Sequence, residues 1–137
     1  MAKFVEPFPK ALRGDKFGEQ QSYRTHPHRG QDWKAPAKAI IPAIADAKVT
    51  QVFHSEILGW SVEFKTGATY WQINHLTEKP RSYTEGSDIK QGQPVGRVGD
   101  TGTAATGPHL HLAASKKKNV HLAPQESLID PLTLFKD

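Results

Sequence analysis

The segment Gly107-Pro108-His109-Leu110-His111-Leu112 constrains this chain most. Side chains alternate across a β-strand, so Leu110 and Leu112 take one face and His109 and His111 the other. The leucine face can enter a core. The two imidazoles then point together into an open site, where one can bind a metal and the other can handle a proton. A second cluster lies upstream, His28-Arg29-Gly30-Gln31-Asp32, an H-x-x-x-D in which Gly30 lets the backbone bend so that His28 and Asp32 converge. The 137 residues include no cysteine, which excludes disulfides, thiolate metal sites and cysteine nucleophiles. Any metal must be held by His, Asp or Glu.

The rest of the chain reads as short strands between Gly and Pro turns. Residues 1–19, punctuated by Pro7, Pro9, Gly14 and Gly18, hold no helical period and read as an arm packed on the domain formed by residues 20–137. Strand signals run over residues 40–45, 48–54 and 60–65. In the last of these Trp60, Val62 and Phe64 alternate with Ser61, Glu63 and Lys65, the pattern of a half-buried strand. Gly67 suits a hairpin turn. In residues 69–75 alternation puts Thr69, Trp71, Ile73 and His75 on one face. Residues 89–99 read as a turn between two short strands, residues 115–119 as a charged hairpin tip, and residues 125–128 as at most one helical turn. A chain of this length builds one core, and the sum is a mainly β, compact antiparallel domain with little helix.

A zinc ion in a hydrolase takes three protein ligands and keeps one position open. His28, Asp32 and His111 supply two nitrogens and one oxygen. Proton transfer and oxyanion stabilisation need further groups, and His109, beside His111, and His75, at a strand end, are the candidates.

These residues carry a family resemblance. The sequence is similar to the lysostaphin-type (LytM) zinc metallopeptidases that cut peptidoglycan peptides. The matching segments are residues 28–33 with Ala35-Pro36, then Asn74-His75-Leu76, then residues 89–96 running on through Gly99-Asp100-Thr101-Gly102 to residues 106–111, and finally Asp130-Pro131. The resemblance spans residues 20–132. It implies zinc held by His28, Asp32 and His111, with His75 and His109 as catalytic histidines. It also implies an antiparallel β-sheet domain whose loops wall a narrow groove over the zinc, suited to an extended peptide. Small members of this kind resemble bacteriophage endolysins, which stay in the host cytoplasm until released to the cell wall. Family members usually carry glycines near positions 38 and 47, where this chain has Lys38 and Ala47. Two residues before the middle histidine they carry an aromatic, here Ile73, and the loop between Gly102 and Thr106 is one residue longer here. These departures bear on loop geometry and substrate more than on metal.

The expected function is therefore a zinc-dependent endopeptidase acting on the peptides of bacterial peptidoglycan, working as a monomer. The alternative is a non-catalytic relative of the same fold that binds wall or activates an amidase. Such relatives lose zinc ligands, and here all five positions are filled. The net charge of +4 favours polyanionic partners, but no nucleic-acid-binding signature accompanies it. No apolar run is long enough to cross a bilayer, so no membrane insertion is expected, and the first residues show no secretory signal. His26, His54 and His121 read as surface or structural residues, with His26 able to line the groove. Tyr23 offers packing or an oxyanion contact. Lys116, Lys117 and Lys118 form a solvated turn or attract an anionic wall. Residues 89–99 also suggest a lipoyl-type hairpin, but no lysine stands at a hairpin tip between the flanking residues such a hairpin needs.

Overall fold

The computed structural model describes residues 3–20 and 26–135. Among these residues nine strands form two sheets, all pairings antiparallel: β1 (Gln31–Trp33), β2 (Ile40–Pro42), β3 (Ala47–Ser55), β4 (Gly59–Thr66), β5 (Thr69–Leu76), β6 (Asp88–Ile89), β7 (Pro94–Arg97), β8 (Leu110–Ser115) and β9 (Leu128–Ile129). The large sheet runs β1-β8-β5-β4-β3-β6, with β9 also on β8, while β2 and β7 pair separately. Helical structure among the described residues is limited to short 3-10 turns. None of it is long and apolar enough to cross a membrane. The mainly β antiparallel fold expected from the turn-rich sequence is present.

One face of the large sheet is dry. Leu110 and Leu112 of β8, Trp71, Ile73 and Leu76 of β5, and Val62 and Phe64 of β4 are at most 1% exposed. They share a core with Ile41, Val95 and Val98 from the β2–β7 side. Phe64 and Trp71 stack at 4.1 Å between ring centres. Residues of the first segment add to this core. Phe4, Phe8 and Leu12 pack against it, and Glu6 accepts hydrogen bonds from the Arg13 guanidinium and from Trp33 Nε1 at 2.9 Å. Residues 14–19 then run along residues 28–32, with Gly14 N donating to Asp32 O and His28 N to Glu19 O.

Two expectations from alternation are corrected. His75 does not share the face of Ile73. It adopts a left-handed backbone, φ +61°, and is the extra residue in a bulge where the pairing shifts from Val62↔Ile73 to Trp60↔Leu76. The bulge hands the core position to Leu76 and turns His75 to the polar face, which lines the groove. Strand β4 is not half-buried either. Ser61 and Glu63 are fully buried: Val120 N donates to the Glu63 carboxylate, and Ser61 accepts from the buried Asn74 Nδ2.

Candidate active site

The polar face of the sheet is the floor of a groove of about 860 Å³. Register places the metal candidates there. His111 in β8 lies opposite Asp32 in β1 and Asn74 in β5. Its Nδ1 is 2.9 Å from Asp32 Oδ1, and His28 Nε2 is 3.3 Å from the same oxygen. One ligand atom from each of the three residues lies within 4.8 Å of the others. Zinc at about 2.0–2.1 Å from tetrahedral ligands sets those ligands about 3.3 Å apart, so the donor set and spacing fit. The remaining ring nitrogen of His28, Nδ1, donates to Lys16 O at 3.0 Å, which fixes the ring and leaves Nε2 free. Burial pushes the Asp32 carboxyl up, but the hydrogen bonds and charges of His111 and His28 outweigh it and hold it well below the usual carboxylate range. Asp32 is therefore ionised, as a ligand must be.

Gly30 is needed for a different reason than backbone bending. A Cβ at this position would lie 2.2 Å from Leu112 O and 3.0 Å from His111 Cε1. Only glycine lets the ligand loop approach the backbone of β8 this closely.

His75 and His109 stand beside the triad, 5.0 Å apart between ring centres, with His75 6.2 Å from His111. Each donates its Nδ1–H to a backbone carbonyl, His75 to Thr101 at 2.8 Å and His109 to Gly107 at 2.9 Å. Carbonyls only accept, so either ring, when it carries a single proton, presents an Nε2 lone pair. Burial pushes the His75 pKa down to about 4, with the charges of His111 and His109 adding to it, so His75 is neutral at pH 7. Thr101 holds this arrangement. Besides its carbonyl, its hydroxyl donates to Leu76 O at 2.6 Å and accepts from Trp60 N at 3.2 Å. Thr101 lies inside the quoted motif, yet a role played by a main-chain carbonyl leaves no trace in side-chain chemistry.

The remaining histidines divide. His26 is exposed and lines the groove. His54 is exposed against Trp60. His121, read as surface or structural, also lines the groove and accepts from Gln72 Nε2 at 3.0 Å. Tyr23 lies outside the described residues. Lys116, Lys117 and Lys118 are exposed.

The model of Peptidase family M23 matches residues 26–124. Over 84 residues, 61% of this chain, the sequence is 37% identical to the peptidoglycan DD-endopeptidase ShyC of Vibrio cholerae serotype O1. The match spans 19% of that protein's length. The catalytic domain of the prophage-encoded M23 protein EnpA from Enterococcus faecalis, solved as a mutant, is 27% identical with a TM-score of 0.75, covering 93% of this chain and 95% of that one. The catalytic domain of lysostaphin from Staphylococcus simulans has a TM-score of 0.77 at 22% identity over 96% of this chain and 100% of that one, a likeness of fold.

Proposed function

The chain belongs to peptidase family M23, and from that premise we propose that it is a zinc-dependent endopeptidase hydrolysing peptide bonds of bacterial peptidoglycan. The observation that carries the reading is the convergence of five side chains on one groove. His28, Asp32 and His111 form the donor set, with His75 and His109 as catalytic neighbours. A non-catalytic relative has no use for all five. The likeness to a peptidoglycan DD-endopeptidase supports wall peptide as substrate. The likeness to a prophage-encoded M23 protein supports a phage endolysin, kept in the host cytoplasm until it is released to the wall. All five side chains come from one chain, which suits a monomer.

Zinc held by the triad supplies Lewis-acid polarisation of the scissile carbonyl and lowers the pKa of water towards neutrality. The protein's own groups do the rest. Asp32 brings a negative charge that needs no proton loss on metal binding. The Nε2 lone pairs of His75 and His109 are placed to accept the proton released as water attacks. Once protonated, the same nitrogens donate to the tetrahedral oxyanion or to the leaving amine.

Digestion of purified walls tests the proposal. The expected result is peptide-bond cleavage, identified from product masses, that stops in chelator and returns with zinc. Wall binding without new amino termini would point to the non-catalytic relative. Cleavage unaffected by chelator would contradict the metal.

A further inference from the structure

The groove wall at residues 120–122 is built around a buried carboxylate. Glu63 is 0% exposed. Its oxygens accept from Thr50 Oγ1 at 2.9 Å, Gln51 Nε2 at 3.1 Å, Gln72 Nε2 at 3.2 Å and Val120 N at 2.8 Å. The Gln72 amide is oriented from both ends. Its oxygen accepts from Asn74 Nδ2 at 3.0 Å, and its nitrogen faces the carboxylate and His121 Nδ1. An amide nitrogen only donates, so His121 Nδ1 accepts, and the neutral ring carries its proton on Nε2.

The ring is fixed by more than that bond. It stacks on Phe53 at 4.5 Å with 27° between planes. Arg29 Nη2 donates to the carbonyls of Val120 and Ala123, at 3.1 and 2.5 Å, tying this wall to the loop that carries His28. Together these contacts restrain the ring on its stacked and its hydrogen-bonded side. What they produce is a preorganised N–H donor on a ring that lines the groove. Its place along the groove follows from its partner Gln72. Gln72 precedes Asn74 by two residues on β5, and Asn74 lies opposite His111. Two strand residues span about 7 Å, so Gln72 stands that far along β5 from the residue facing His111.

We propose that His121 is a specificity-determining residue whose Nε2–H binds an acceptor oxygen of the substrate peptide, a carbonyl or a carboxylate, away from the scissile bond. The proposal rests on the peptidase reading above.

Steady-state kinetics on a synthetic wall peptide compare wild type, His121→Phe, which keeps a ring to stack on Phe53, and His121→Gln, which keeps a donor. His121→Phe should raise KM about tenfold, the effect of one lost hydrogen bond, while kcat falls less than about twofold. His121→Gln should recover most of the loss, with zinc content the same in all three. A pair of peptides differing only as carboxylate and carboxamide separates the two acceptors. An effect confined to the carboxylate peptide assigns the side chain, and one common to both assigns the main-chain carbonyl. An unchanged KM in folded His121→Phe overturns the proposal, as does a loss of kcat alone. Should that variant fail to fold, the wild type decides. Its His121 Nε2–H resonance should shift when the cleaved peptide is added, and a resonance that stays fixed at saturation overturns the assignment. A wild type that cleaves no wall peptide sinks the peptidase reading, while titration of the intact peptide on the same resonance still decides His121.

Discussion

His75 is 4% exposed, and burial first, with nearby imidazole charge second, lowers its pKa to about 4 from an ordinary 6.5. Between those values the unfolded chain binds a proton that the folded chain does not. Metal-free protein therefore keeps the full contribution above pH 6.5 and loses it as pH falls to about 4, a loss of about 3 kcal/mol. Buried His111 shifts the same way. Urea midpoints of chelated protein should fall across this window, and His75→Asn, which tolerates a left-handed backbone, should flatten the slope. A wild-type midpoint constant from pH 7 to 4 would rule this out. In loaded enzyme, His75→Ala should keep its zinc yet slow turnover roughly 100- to 10,000-fold, the range of an acid–base group. Lys38 gives a second residue-level test. It is exposed at φ +69°, where the family usually has glycine. A lysine there carries about 1 kcal/mol of strain, so Lys38→Gly should raise the melting temperature slightly. No gain would mean the unfolded-state entropy of glycine cancels the relief.

At the level of elements, β1 is short and depends on close contact with β8. Gly30→Ala would push a methyl into Leu112 O, a main-chain atom that cannot swing aside. The pairing Asp32↔His111 must then open. We expect a loss of about 2–4 kcal/mol, comparable to other severe core changes, together with weaker zinc retention on dialysis. Stability and zinc affinity equal to wild type would show that β1 can shift freely. The same strands show how far alternation carries. The faces of β8 were legible, since Leu110 and Leu112 are buried and His109 and His111 line the groove. The H-x-x-x-D pair was legible because its partner histidine completed a donor set. The face of His75 was not, because a bulge inserts one residue and a period-two reading cannot see it. The burial of Ser61 and Glu63 was hidden for another reason. Glu63 binds Val120 of the 3-10 turn Val120–Leu122, and Ser61 binds Asn74 across the sheet; neither partner is marked by a repeat in the sequence.

Across the whole molecule, the first segment supports the site as well as the core. Phe4, Phe8 and Leu12 pack on the central cluster, Glu6 caps the buried Trp33 indole, and Lys16 O orients His28. Deleting residues 1–12 should remove several kcal/mol, given about 1.5–3 kcal/mol for each large apolar side chain fully buried. Thermal unfolding should drop by many degrees, and Trp33 fluorescence should shift to the red. An unchanged transition would show that this arm is dispensable. A single ion must join residues from two distant parts of the chain, His28 with Asp32 and His111. Native mass spectrometry of wild type, His75→Ala and His111→Ala measures it most directly. One zinc per chain in the first two and none in the third is the predicted result. Equal zinc in all three, or none in the wild type after incubation with the metal, would contradict it.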